Sequence, residues 1–140
     1  MSTLNSAINA SASALNAERT RIEVAVSNLA NADSTRGPDG QPYRRRDVVL
    51  AADRSFEQTL DEAGAIGVKV AAVVEDQAPF QRRYDPSHPD ADAQGFVAMP
   101  NVDTPEEMVN MMSASRAYQA NLTAIGLIRD TIARALELAK

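Results

Sequence analysis

Apolar residues recur at every seventh position near the start of this chain, at Ile8, Leu15, Ile22 and Leu29. Ala12, Arg19 and Val26 fall four positions after the first three. This is the heptad seam of an amphipathic helix, with Arg19 as its one charged interruption. No Gly or Pro occurs between Thr3 and Asn31, so the pattern predicts one helix closing residues 1–31, roughly 40 Å long. Its opening is weak. Ala, Ser and Asn fill 12 of the first 17 positions, and Ser and Asn side chains compete with helical hydrogen bonds. A helix of this composition needs a surface to pack on.

A second stripe runs through residues 105–140. Met108, Met111, Ser115, Leu122, Ile125, Ile128, Ile132 and Leu136 follow helical spacing. Met111, Tyr118, Ile125 and Ile132 form a seven-residue row within it. Thr104 as N-cap, Pro105 at the first helical position and Glu107 closing a capping box mark the start. Asp130 and Arg134 are spaced to pair on the outside. Val109, Met112, Ala120, Leu127 and Leu138 extend apolar surface beyond what one neighbouring helix covers, which favours an interface.

Between the helices, residues 32–104 read as turns and short strands. The run from Asp33 to Gly40 is dense in turn formers. Tyr43–Ala51, Ile66–Val74 and Gly95–Met99 are strand candidates. Phe56–Ala63 suggests one or two helical turns, and Tyr84–Gln94, with Pro86 and Pro89, suggests a loop. The expected fold is therefore mainly α with a small β-containing middle, its long terminal helices pairing as a coiled coil.

Charge sharpens the division. The net charge of −5 lies wholly in residues 32–104, which hold 13 acids against 8 bases, while both terminal segments balance. Neutral helices suit tight packing; an acidic middle suits solvent or a basic neighbour. With 140 residues and no Cys, one domain is expected, without disulfides or thiolate chemistry. No stretch is long enough to span a membrane, and the N-terminus lacks the pattern of a cleaved signal peptide. Composition alone points to the cytoplasm.

Chemistry is sparse. His88 is the single histidine, and Asp85, Asp90 and Asp92 around it match neither a zinc nor a calcium pattern. Arg44, Arg45 and Arg46, with Arg82 and Arg83, could touch phosphates, but the chain is acidic overall, which argues against nucleic acid. These arginines read instead as a solvated face or a partner contact. Asn28 and Asn31 sit where left-handed helix caps are common, or where they cross-link helix ends, as does Asn121. No catalytic residue, cofactor, metal or small-molecule substrate is expected. Two classes remain open: a subunit of an assembly, and a soluble helical binding or chaperone-like module.

Several stretches narrow the choice. Ser27-Asn28-Leu29-Ala30-Asn31-Ala32 resembles the signature of flagellar rod, hook and filament-junction proteins. Tyr84 to Val97, with Pro86, His88, Pro89 and Gly95, then Met99-Pro100-Asn101-Val102-Asp103, resembles the proximal rod proteins of the bacterial flagellar basal body. Glu107-Met108, Met111-Met112, Ala114-Ser115-Arg116 and Ala117-Tyr118-Gln119-Ala120-Asn121 resemble the start of their C-terminal helix, and Tyr43-Arg44-Arg45 their first strand. Ser13-Ala14-Leu15 departs from the family's Gly-Leu pair, and Gln119 replaces a common Glu. The resemblance implies a structural, non-enzymatic part of a tubular drive shaft, with paired terminal helices as its inner core. It further implies flagellar type III export without a cleaved signal peptide and a place in the periplasmic part of the basal body, reversing the cytoplasmic reading. The implied partners are other rod proteins, the rod adaptor, the membrane ring and copies of the same chain. The residues expected to carry assembly are Ile8, Leu15, Ile22, Val26 and Leu29, facing Met111, Tyr118, Leu122, Ile125, Ile128 and Ile132.

Overall fold

A computed structural model describes residues 2–53 and 66–138. Helix α1 spans Ser2–Ala30 and helix α2 spans Thr104–Leu138. Between them lie two antiparallel hairpins: strand β1 (Arg46–Asp53) with β2 (Gly67–Glu75), and β3 (Gln81–Tyr84) with β4 (Phe96–Met99). The architecture is mainly α with a small β-containing middle, as the hydrophobic pattern predicts. The short helix expected at Phe56–Ala63 lies outside the described residues. Among the described residues, no helix is long and apolar enough to cross a membrane.

The two helices pack on each other. Asn28 at the end of α1 bonds Glu107 at the start of α2, so they run antiparallel. Small side chains line the buried face. Ala17 and Ala25 on α1 and Ala114 on α2 are buried, with Ser6 and Asn28 in line. Ser6, Ala17 and Asn28 are spaced by 11 residues, about 3.67 per turn and close to the pitch of a straight helix. Short side chains at a crossing let axes approach. The seven-residue rows flank this line: Ile8, Leu15, Ile22 and Leu29, and Met111, Tyr118, Ile125 and Ile132, are all partly buried. Ile128 is partly buried too, whereas Val26 and Leu122 are 48% and 54% exposed in the single chain. Arg19 points to solvent and pairs with Glu23 at 2.9 Å. Asp130 and Arg134 do not come within ion-pair distance among the described residues.

A polar contact near the middle of α1 holds the β1/β2 ribbon against it. Ser13 Oγ donates to the Ala10 carbonyl at 2.7 Å and accepts the Val68 amide at 3.0 Å. Gly67 permits the approach, since a Cβ there would stand 3.2 Å from that hydroxyl. Ser13 thus ties β2 to the middle of α1. A register shift between Val49 and Leu50 bends β1, and Val49, Val73 and Val74 remain exposed.

Three details correct the sequence reading. Gln81–Tyr84 is a strand, so Tyr84 closes β3 and the loop begins at Asp85. All four residues of β3 are exposed, so no alternation marked it; only pairing with β4 makes it a strand. Helix α2 is capped by Asp103, whose Oδ1 accepts the Glu106 amide at 3.1 Å while its carbonyl accepts the Glu107 amide. Pro105 is therefore at the second helical position, and Glu107 is free of capping because its carboxylate is engaged elsewhere. Finally, no non-glycine residue among those described has positive φ, so neither Asn28 nor Asn31 is a left-handed cap.

Candidate functional site: a buried junction of the terminal helices

Among the described residues, a dense set of hydrogen bonds lies where α1 ends, β1 begins and α2 begins. Asn28 is fully buried, and its amide uses every hydrogen-bonding position it has. Oδ1 accepts the Arg46 amide and the Tyr43 hydroxyl, each at 2.9 Å. Nδ2 donates to the Arg46 carbonyl at 2.8 Å and to Glu107 Oε2 at 3.0 Å. Asn28 therefore pairs with the Arg46 backbone as a neighbouring strand would, and also reaches α2.

Glu107 is 2% exposed. Its second oxygen, Oε1, accepts Arg45 Nε at 2.6 Å. Burial opposes the charge on Arg45, but the hydrogen bond and charge of Glu107, then the charges of Asp47 and Glu106, outweigh it and hold the guanidinium above its usual value. Asp47, Asp76 and Glu106 lie at 3.6, 3.8 and 3.9 Å. The arginine run is not simply a solvated face or partner contact. Arg45 turns inward to the junction, while Arg44 stacks on Phe80 at 4.3 Å and Arg46 stays exposed. The Arg45 amide donates to Asn101 Oδ1 at 2.8 Å, and Asn101 Nδ2 donates to the Asp76 carbonyl at 3.2 Å. Pro100, beside it, is fully buried with Val97, Met99 and Val102.

The other motif residues divide between this junction and a second loop. Asn31 bonds the Ser27 carbonyl and the Ser34 hydroxyl, closing the turn after α1. Asn121 bonds only the Ala117 carbonyl of its own helix. Tyr84 is exposed and meets Phe96 edge-on, with ring centroids 5.2 Å apart. Pro86 and Pro89 are exposed. Gly95 has φ +82°, and a Cβ there would meet Tyr84 and Pro86 at 3.0 and 3.1 Å. His88 Nδ1 accepts the Asp90 amide at 3.1 Å, so its role in the loop is that of an internal cap. Asp90 in turn bonds the Thr35 hydroxyl at 2.8 Å, docking this loop on the turn after α1.

Two carboxylates shape that loop. The Ser87 hydroxyl holds Asp85 below the ordinary carboxylate value. The Phe96 amide, with the Gln94 amide and Arg82, does the same for Asp92. No three potential metal-ligating side chains converge among the described residues. The arrangement at the junction gives its buried carboxylate a cation and its buried amide a full set of hydrogen bonds. What it does is mechanical, since it joins two helices and both hairpin regions through one set of bonds.

Sequence reasoning reached Asn28 as a helix-end residue but missed Glu107 and Arg45. A signal existed. Glu107 falls four before Met111 and seven before Ala114, on the buried side of α2, and an acid there requires a buried partner.

Known proteins resemble this chain along nearly its whole length. Residues 8–38 match the family model for flagella basal body rod proteins, and residues 93–138 match that for the C-terminal part of the flagellar basal body rod FlgEFG proteins. The flagellar basal-body rod protein FlgC of Salmonella typhimurium is 52% identical over 126 residues, covering 90% of each chain. Its counterpart in Bacillus subtilis is 43% identical, covering 95% of this chain and 96% of that one. The FlgC of Borreliella burgdorferi is 40% identical, covering 96% and 97%. The chain belongs to the FlgC family of structural flagellar basal-body rod proteins.

Proposed function

We propose that the chain works as a packing unit of a tubular rod. In this reading residues 1–31 and 105–140 pair as a coiled coil and form the tube's inner core, and residues 32–104 contact neighbours or face outward. Copies of the chain and other rod proteins are its neighbours, with the rod adaptor and membrane ring at one end. It travels through the flagellar type III apparatus without a cleaved signal peptide and assembles in the periplasmic part of the basal body. The soluble binding or chaperone-like alternative gains no support from the relatives.

One observation carries the reading. Met108, Val109, Met112, Leu122, Leu127 and Leu136 are each at least half exposed along a single helix. Surface of that kind calls for a partner. It is compatible with helices that finish burying their side chains only when neighbouring subunits arrive, offsetting the entropy of ordering them.

Ile125→Asp tests it. Ile125 is partly buried on the row shared with Met111, Tyr118 and Ile132. Full burial of an aliphatic side chain from water is worth about 1.5–3 kcal/mol, part of which Ile125 already gains in the single chain, and a carboxylate there must be desolvated without a partner. The variant should be made and soluble, but cells should lack rods and not swim. Arg129→Ala, at an exposed position, should be mild. Normal swimming with rods of ordinary length in Ile125→Asp cells would refute the packing role.

A further inference from the structure

The helix pair has a register problem that its apolar residues do not solve. On α1 the partly buried row is Ile8, Leu15, Ile22 and Leu29; on α2 it is Met111, Tyr118, Ile125 and Ile132. Both repeat every seven residues. Sliding one helix past the other by seven residues, roughly 10 Å, again sets aliphatic against aliphatic and loses one pair at the end. The buried Ala17, Ala25 and Ala114 are small enough to accept several neighbours. A repeating apolar interface of this kind favours pairing without choosing among alignments.

We infer that Asn28, Glu107 and Arg45 form a register key that selects one alignment of α1 on α2. Only one alignment lets the Asn28 amide satisfy Arg46, Tyr43 and Glu107 together. Glu107 and Asn28 are 79 positions apart, and neither is duplicated one heptad away: position 21 is Arg and 35 is Thr, and position 100 is Pro and 114 is Ala. A slip in one direction sets Asn28 against Ala114 and carries Glu107 past the end of α1 to position 35; a slip in the other sets Glu107 against Arg21 but brings Asn28 opposite position 100, outside α2. Either slip leaves buried polar groups without the partners they have in the observed alignment, which is costly. A single buried polar residue fixes register in coiled coils in the same way, at some expense of stability. Because Arg45 and Arg46 lead into β1, the key also sets the helices against the middle segment. The inference is independent of where the chain assembles and would hold for the isolated protein.

The chain has no Cys, so labels are easily placed. Asn9→Cys and Ser113→Cys, both at exposed positions, carry spin labels on the full-length protein, diluted with unlabelled protein to remove contacts between copies. Asn9 lies far along α1 from the junction and Ser113 near it, so a slip changes their separation. The unmodified key should give one distance. Adding Asn28→Leu, Arg45→Met and Glu107→Leu together should keep helical content and add a second distance about 10 Å away. Glu107→Gln, which preserves volume and one acceptor, should add a smaller second population, and it decides the matter alone if the triple variant does not fold. A single unchanged distance in whichever of these variants fold, or loss of helix in Glu107→Gln without a second distance, would overturn the register role.

Discussion

Replacing Asn28 by Ala is the sharpest perturbation of the junction. It strips four partners at once: the Arg46 amide and carbonyl, the Tyr43 hydroxyl and Glu107 Oε2. These losses are unequal. The Tyr43 hydroxyl retains Ser27 Oγ at 3.4 Å, and Arg46 lies at the surface, where water can replace part of what is lost. Glu107 has no such recourse at 2% exposure. Leaving a buried group unsatisfied costs about 1–3 kcal/mol, more for a charged one. A loss of about 4 kcal/mol is expected, the carboxylate accounting for the larger share. Asn28→Asp should be worse, because it places a second carboxylate about 3 Å from the first and exchanges a donor for an acceptor. Asn121→Ala is the internal control. Its amide bonds only its own helix and Ala is the better helix former, so the change should stay within about 0.5 kcal/mol. Urea unfolding followed by circular dichroism measures all three. A loss under about 1 kcal/mol for Asn28→Ala would mean that the junction is not a significant source of stability.

Three further outcomes follow from the same geometry. Gly95→Ala should destabilise the β3/β4 hairpin by about 1–3 kcal/mol, because its φ is +82° and its Cβ would press on Tyr84 and Pro86; faster proteolysis within residues 85–95 is the readout. Ser13→Ala leaves the Val68 amide without its acceptor and should cost about 1 kcal/mol, seen as faster hydrogen exchange at Val68 with α1 intact. Asp85 and Asp92 are held below their ordinary value of 3.8, so the unfolded loop takes up protons first as pH falls. Their contribution is present above the ordinary value and disappears as pH drops through the depressed folded values; the protection of the Gln94 and Phe96 amides, relative to the intrinsic exchange rate at each pH, should fall only in strong acid, and a fall in protection between pH 8 and 5 would contradict this.

How much of this was legible depends on whether the signal is local. Helices α1 and α2 were visible because apolar spacing, and in α1 the absence of Pro, act over a few turns. Strands β1 and β2 announced themselves through Val48-Val49-Leu50 and Val68 to Val74. Strand β3 did not, since Gln81, Arg82 and Arg83 carry no β signal of their own and gain it from Val97 to Met99. The junction was half legible. Asn28 belongs to a recognisable signature, but its partners lie 18 and 79 positions away. Glu107 was read as part of a local capping box because a T-x-x-E sequence offers one, and Asp103, one residue before Thr104, is the cap instead. The finest seam also escaped, because Ala17, Ala25 and Ala114 attract less notice than the larger aliphatics beside them.

A cryo-EM map of isolated basal bodies tests the central claim most directly. It should show this chain in the rod, with α1 and α2 antiparallel and side by side along the channel wall. Asn28 and Glu107 should be in contact at their junction, and the two hairpins should lie farther from the axis. A rod without this chain, or one in which its terminal helices lie separated on the outer surface while the hairpins line the channel, would contradict the account.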